Sequence, residues 1–176
     1  MRVFVFGTGR CGTVSVRDAF AVATNYESGH ETFVAHAYYP DNWIEVNPQL
    51  RITLPRVLTR HPDALYIWLT RDKERVLESY ERLDLGAWLS AFYSLCPSVR
   101  PNNRWVAARF AVDQMLRDCQ ASYRTVPANQ RLQVDIDNAA EWFPEVWQRI
   151  GAEGDLAAAV RVFDTPRNTS KERGDA

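Results

Sequence analysis

A short apolar run, Val3 to Phe6, ends on Gly7, and glycine recurs at Gly9 and Gly12. A run of this kind predicts a strand buried on both faces, as in a parallel sheet. Behind the glycines, Val14, Val16, Ala19, Phe20, Val22 and Ala23 recur at roughly helical spacing. Strand, glycine loop and helix in that order make the first half of a βαβ unit. Few architectures accept such a start. The expectation is a three-layer α/β/α fold with a mostly parallel central sheet, like that of the P-loop nucleotide hydrolases.

The rest of the chain fits that reading. Thr24 to His30 is polar and reads as a turn, and Thr32 to Ala37 as a second short strand holding His36. Tyr38 to Leu50 reads as irregular, and Pro55 to Arg60 as the end of a helix. His61 precedes Pro62 and so avoids the helical region; it is expected in an exposed turn. Ala64 to Thr70 is the strongest central strand. Asp72 to Leu83 is a charged amphipathic helix with Val76, Leu77 and Tyr80 inward. Helices are expected over Trp88 to Leu95 and Trp105 to Tyr123, with a loop at Cys96 to Asn103. Then come a strand at Arg131 to Ile136 and helices at Ala139 to Ile150 and Leu156 to Val162. A single domain over 1–164 with a polar tail over 165–176 follows from the lack of any repeat or linker.

Composition removes several functions. Apolar residues make up 46% and support a sizeable core, while 21 basic against 22 acidic residues argue against bulk nucleic-acid binding. Lysine occurs only at Lys73 and Lys171, so nearly every cation is arginine. Cys11, Cys96 and Cys119 are scattered and make neither a disulfide framework nor a zinc site. No apolar run reaches transmembrane length, and no signal-peptide pattern precedes the first strand. A cytoplasmic, reducing setting is expected, with no metal.

The loop reads Gly7-Thr8-Gly9-Arg10-Cys11-Gly12-Thr13. Its glycines allow backbone amides to converge on one anion, and a helix N-terminus follows. Arg10 adds a forked cation and Thr13 a hydroxyl. Gly7 and Gly12 have the spacing of a Walker loop, but Thr13 stands where the lysine belongs. That moves the loop away from a standard kinase or ATPase. Further on, Arg71 follows the central strand and Ser79 lies eight residues later. An arginine at a strand end is placed to grip a second phosphate.

Together these segments resemble the sulfotransferases that use 3′-phosphoadenosine 5′-phosphosulfate (PAPS). Arg10-Cys11-Gly12-Thr13 is similar to that family's 5′-phosphosulfate loop, and Arg71 with Ser79 to its 3′-phosphate pair. The resemblance covers mainly 3–31 and 64–80. It implies that Gly9, Arg10, Cys11, Gly12, Thr13 and Val14 bind the 5′ end of the nucleotide, and Arg71 and Ser79 the 3′-phosphate. The product would be 3′-phosphoadenosine 5′-phosphate (PAP). It further implies a base after the first helix, Glu31 first and His30 second, with Arg10 stabilising the leaving side. The family's C-terminal motif is not found; Arg167 to Lys171 is the local candidate for its role. The acceptor, a small molecule or carbohydrate, stays open, and Trp43, Trp88, Tyr93 and Trp105 are candidates to line its site. Two other readings remain. One is a divergent nucleotide kinase using Asp135 or Asp137 for magnesium. The other is a non-catalytic nucleotide-binding module.

Overall fold

A computed structural model of the chain describes residues 1–32, 38–82 and 104–165. The expected residues 33–37, the helix at Trp88 to Leu95, the loop at Cys96 to Asn103 and the tail beyond Thr165 lie outside them. So do His36, Cys96, Trp88, Tyr93, the side chain of Trp105 and Arg167 to Lys171.

Five strands form one sheet: β1 (Val3–Phe6), β2 (Glu27–His30), β3 (Trp43–Val46), β4 (Leu65–Thr70) and β5 (Arg131–Asp135). Their order is β2-β3-β1-β4-β5, and every pair is parallel. Val3 aligns with Ile44 and Leu65, and Val5 with Val46 and Ile67. Since side chains alternate along a strand, one face of the sheet carries Val3, Val5, Ile67 and Leu69, and the other Phe4, Phe6, Tyr66 and Trp68. Both faces are covered, which is why β1 and β4 read as continuous apolar runs.

The helices are α1 (Thr13–Phe20), α2 (Leu50–Arg60), α3 (Lys73–Glu81), α4 (Arg104–Thr125), α5 (Ala139–Ile150) and α6 (Leu156–Arg161). Val16, Ala19 and Phe20 of α1, Val76 and Leu77 of α3 and Phe143 and Val146 of α5 pack on the valine face. Leu50, Leu54 and Val57 of α2 pack on the aromatic face. Helix α4 packs against both α2 and α3. This is the three-layer parallel α/β fold expected from the sequence.

Two elements differ from expectation. β2 lies in the segment read as a turn, and β3 in the segment read as irregular. β2 is an edge strand of four residues, Glu-Ser-Gly-His, with no β-branched or aromatic side chain; its pairing to β3 overrides its propensity. In β3, Glu45 interrupts the apolar pattern yet is fully buried. His61 is also corrected. It is 8% exposed, its ring lies against Phe4 and Tyr39, and its carbonyl accepts from the Tyr66 hydroxyl.

Pro55 sits inside α2. It has no N–H to give the Arg51 carbonyl one turn earlier. Ser122 of α4 supplies the missing donor, with its hydroxyl 2.5 Å from that oxygen. The helix thus keeps its proline without an orphaned carbonyl, and α2 is tied to α4.

Gly7 closes β1 under tight constraint. A Cβ there would stand 2.6 Å from Cys11 Sγ and 2.7 Å from the Leu69 carbonyl oxygen. The second neighbour is backbone of the adjacent strand and cannot rotate away. Gly7→Ala should cost about 1–3 kcal/mol, the range of core overpacking. Urea denaturation should show a lower midpoint at unchanged slope.

Candidate functional site

All five strands run the same way, so their carboxyl ends gather at one edge. Gly7, Glu31, Asn47, Arg71 and Ile136 follow them there. Ligands of open parallel sheets bind at this edge.

The glycine loop is wound by three left-handed residues among the four from Gly9 to Gly12. Gly9 has φ 74°, Arg10 φ 56° and Gly12 φ 89°. Glycine meets this without penalty, but arginine does not. Arg10 is held there from both ends. Its carbonyl accepts from Arg71 Nη1 at 3.2 Å, and its Nε donates to Ser79 Oγ at 2.9 Å. A Cβ on Gly9 would meet the Tyr80 hydroxyl at 2.7 Å. That hydroxyl donates to the Thr8 carbonyl at 2.9 Å. Gly12 lies so close to Ile136 that a Cβ would stand 2.5 Å from its Cγ1. The loop is therefore clamped between α3 and the end of β5.

Helix α1 starts at Thr13, after the left-handed Gly12. The first-turn amides, including those of Thr13 and Val14, have no carbonyl one turn earlier to bond. Cys11 is fully buried among the core residues. Burial pushes its thiol above the ordinary value despite hydrogen bonds from Thr8, so it is a packed filler rather than a nucleophile.

Arg71 leaves β4 with its Nε buried and, among the described residues, without a hydrogen-bond partner. Its neighbour Asp72 does not pair with it: the Asp72 carboxylate caps α3 by accepting from the Arg75 amide at 3.0 Å. Asp72 thereby starts the helix that carries Ser79. Arg10, Arg71 and Ser79, which the sequence separates by up to 69 residues, form one contact group.

His30 ends β2 on the same edge. Its Nε2 lies 3.1 Å from Thr13 Oγ1, so the loop and β2 share a hydrogen bond. Burial lowers the imidazole's pKa below 6.5; the nearby Glu31 opposes this and Arg17 adds to it. His30 is therefore held neutral. Glu31 is exposed, at φ 55°. Its amide donates to the Val46 carbonyl at 3.3 Å.

The turn behind Glu31 rests on a residue that sequence reasoning passed over. Glu45 accepts from the Thr32 amide at 2.8 Å, from Trp43 Nε1 at 3.1 Å and from Asn47 Nδ2 at 3.1 Å. Three donors explain how a carboxylate is tolerated at zero exposure. They also engage the Trp43 indole nitrogen, one of the proposed acceptor-lining aromatics. The available signal was a lone acid inside an apolar alternation, Trp-Ile-Glu-Val.

Asp135 and Asp137 are engaged as well. Asp135 accepts from the Thr70 hydroxyl and the Asp137 amide, and Asp137 pairs with Arg75 at 2.8 Å. Among the described residues no group of three or more His, Cys, Asp or Glu could hold a metal ion. No described helix is long and apolar enough to cross a membrane.

No protein-family model matches the chain, and no curated protein sequence matches it. Solved structures do. A crystal structure of mouse sulfotransferase SULT7A1 complexed with PAP aligns over 92% of this chain with a TM-score of 0.56. The chain shares its fold with a sulfotransferase. Sequence identity is 12%, and the chain spans 62% of that structure's length. The likeness to SULT7A1 is one of architecture: a parallel sheet with helices on both sides.

The state of His30 has a consequence for stability. The folded protein takes up this proton at lower pH than the unfolded chain, whose imidazole titrates near 6.5. The stability that depends on neutral His30 is complete above pH 6.5 and is lost as pH falls through the lower, folded value. Ring titration by NMR should give a midpoint below 6.5. The melting temperature of His30→Gln should fall less steeply with acid below that pH than the parent's.

Proposed function

We propose that this chain is a sulfotransferase that moves a sulfuryl group from PAPS to a hydroxyl or amine of an acceptor. The observation that carries the reading is the joining of the two nucleotide motifs: Arg10 donates to Ser79, and Arg71 donates to the Arg10 carbonyl. A nucleotide with phosphates at both its 5′ and 3′ ends needs two anion sites at fixed separation. A directly bonded pair of motifs supplies that. The shared fold with a sulfotransferase supports it further.

The residues fit such a nucleotide. The glycine loop and the first-turn amides of α1 offer donors to a 5′ group, with Arg10 as the cation. Arg71 carries a buried, unpartnered Nε. A hydrogen-bond acceptor that meets this nitrogen would remove its desolvation penalty, and with Ser79 it suits the 3′-phosphate. Bound PAPS supplies an activated sulfuryl group on a phosphate leaving group.

The chain's own work is then twofold. Arg10 and the loop amides stabilise the negative charge left on the phosphate oxygen. A base takes the acceptor's proton. Glu31, exposed at the end of β2, is the first candidate. His30, held neutral, is the second, and its hydrogen bond to Thr13 ties it to the loop. The kinase alternative loses support because Asp135 and Asp137 are each occupied by protein partners.

Thermal shift separates these readings. PAP alone should raise the melting temperature, and ATP with magnesium should not. Arg10→Ala should lower transfer from PAPS by roughly 10²-fold or more, the effect of removing an oxyanion donor, with the unliganded protein still folded. Glu31→Gln should lower turnover by roughly 10²- to 10⁴-fold, the usual share of a general base, with the PAP shift intact. Near-normal turnover in Arg10→Ala would reject the assignment. PAP binding with Glu31→Gln and His30→Ala both indistinguishable from the parent would point to a non-catalytic nucleotide-binding module.

A further inference from the structure

Arg51 is the second residue of α2 and only 8% exposed. A buried guanidinium is ordinarily matched by a carboxylate. Among the described residues, no ion pair involves Arg51. Among the described residues Glu45 is the buried acid; it lies on the same face of the sheet and is occupied by three other donors. Arg51 Nη1 donates to the Pro48 carbonyl at 2.6 Å, and Nε is buried with no partner. A single carbonyl does not compensate a buried charge.

The side chain is also fixed in place. Ser122 pins its carbonyl from α4, and Pro48 pins its head group. Pro48 in turn lies against Gly9: a Cβ on that glycine would be 3.9 Å from Pro48 Cβ and Cγ. The field of Arg51 reaches the Tyr80 hydroxyl, which also feels Arg10 and Glu31. A cation without an ion-pair partner among the described residues therefore stands beside the glycine loop, within the electrostatic reach of the same hydroxyl as the proposed leaving-side cation and base.

Its direction of approach separates it from the nucleotide residues. Thr13 and Ser79 belong to α1 and α3, which pack on the valine face of the sheet. Arg51 belongs to α2, on the aromatic face. In an in-line transfer the acceptor enters from the side away from the leaving group. Resting on the sulfotransferase reading, we propose that Arg51 binds an acidic group of the acceptor, so that the substrate is a hydroxyl or amine compound carrying a carboxylate, phosphate or sulfate.

With PAP saturating the nucleotide site, inorganic phosphate serves as the probe. The PAP-loaded parent should gain a further thermal shift from phosphate. Arg51→Met should keep the PAP shift and weaken phosphate binding by about tenfold, the equivalent of one charge-assisted hydrogen bond. Arg51→Lys should fall between. The unliganded Arg51→Met protein should melt no lower than the parent, because it loses an uncompensated buried charge.

In transfer from PAPS, 4-hydroxyphenylacetate should be used in preference to its amide, and glucose 6-phosphate in preference to glucose, with the preference lost in Arg51→Met. Where neither pair is turned over, the phosphate shift decides. An unchanged phosphate shift in Arg51→Met, no phosphate shift in the parent, or equal use of charged and neutral acceptors overturns the proposal. Loss of the PAP shift in Arg51→Met would assign Arg51 to the nucleotide site instead. Absence of a PAP shift in the parent would fail the sulfotransferase reading itself, which is a different result.

Discussion

Arg10 occupies a backbone conformation that only glycine adopts without cost, and the next strand keeps it there. Arg71 bonds its carbonyl and Ser79 its side chain. Holding an L-residue at positive φ costs on the order of 1–2 kcal/mol. Such outliers persist when their surroundings over-determine them. Here the surroundings are the β4–α3 junction, whose start is set by the Asp72 cap. The loop, the strand end and the helix are thus one mechanical unit. The strain is spent on turning an arginine toward the residue that the sequence places 69 positions away.

Around that unit the fold places buried charge in two contrasting ways. Glu45 is fully enclosed and has a donor for each of its needs: a backbone amide, an indole and a side-chain amide. It supports the turn that carries Glu31 and Thr32. A carboxylate satisfied in this way is a structural element, and its cost is offset within the protein. Arg71 and Arg51 are different. Each keeps a buried Nε without a partner among the described residues. Groups of this sort are stable liabilities unless a ligand completes them. Both arginines lie close to the glycine loop: Arg71 through the Arg10 carbonyl, and Arg51 through Pro48, which lies against Gly9.

The parts legible in the sequence were those where local composition and tertiary role agree. β1 and β4 are apolar runs because central parallel strands are covered on both faces, while the edge strand β5 showed instead as an alternation of polar residues with Leu132 and Val134. The loop was visible through its glycines, whose spacing answers to positive φ at Gly9 and Gly12 and to the backbone contact at Gly7. Arg71 and Ser79 were legible only as partners of that loop. What remained hidden depended on contacts distant in the chain. β2 is a polar edge strand held by β3. β3 conceals a satisfied acid, and His61 is buried by ring contacts with Phe4 and Tyr39. Pro55 obscured the start of α2, because the donor that replaces its missing N–H comes from Ser122.

That last substitution bears on the site as well as on the helix. Without Ser122, the Arg51 carbonyl would lack the donor its own helix cannot provide, and the first turn of α2 would be free to fray. Arg51 would then be a long, mobile side chain able to reach solvent. With Ser122 in place, the Arg51 carbonyl has its donor, while Nη1 donates to the Pro48 carbonyl and Nε is buried. A proline that breaks the internal ladder of α2, repaired from α4, thereby holds a cation inside the protein and beside the glycine loop. The same contact that keeps the helix intact thus anchors the backbone of the residue proposed to meet the acceptor's acidic group.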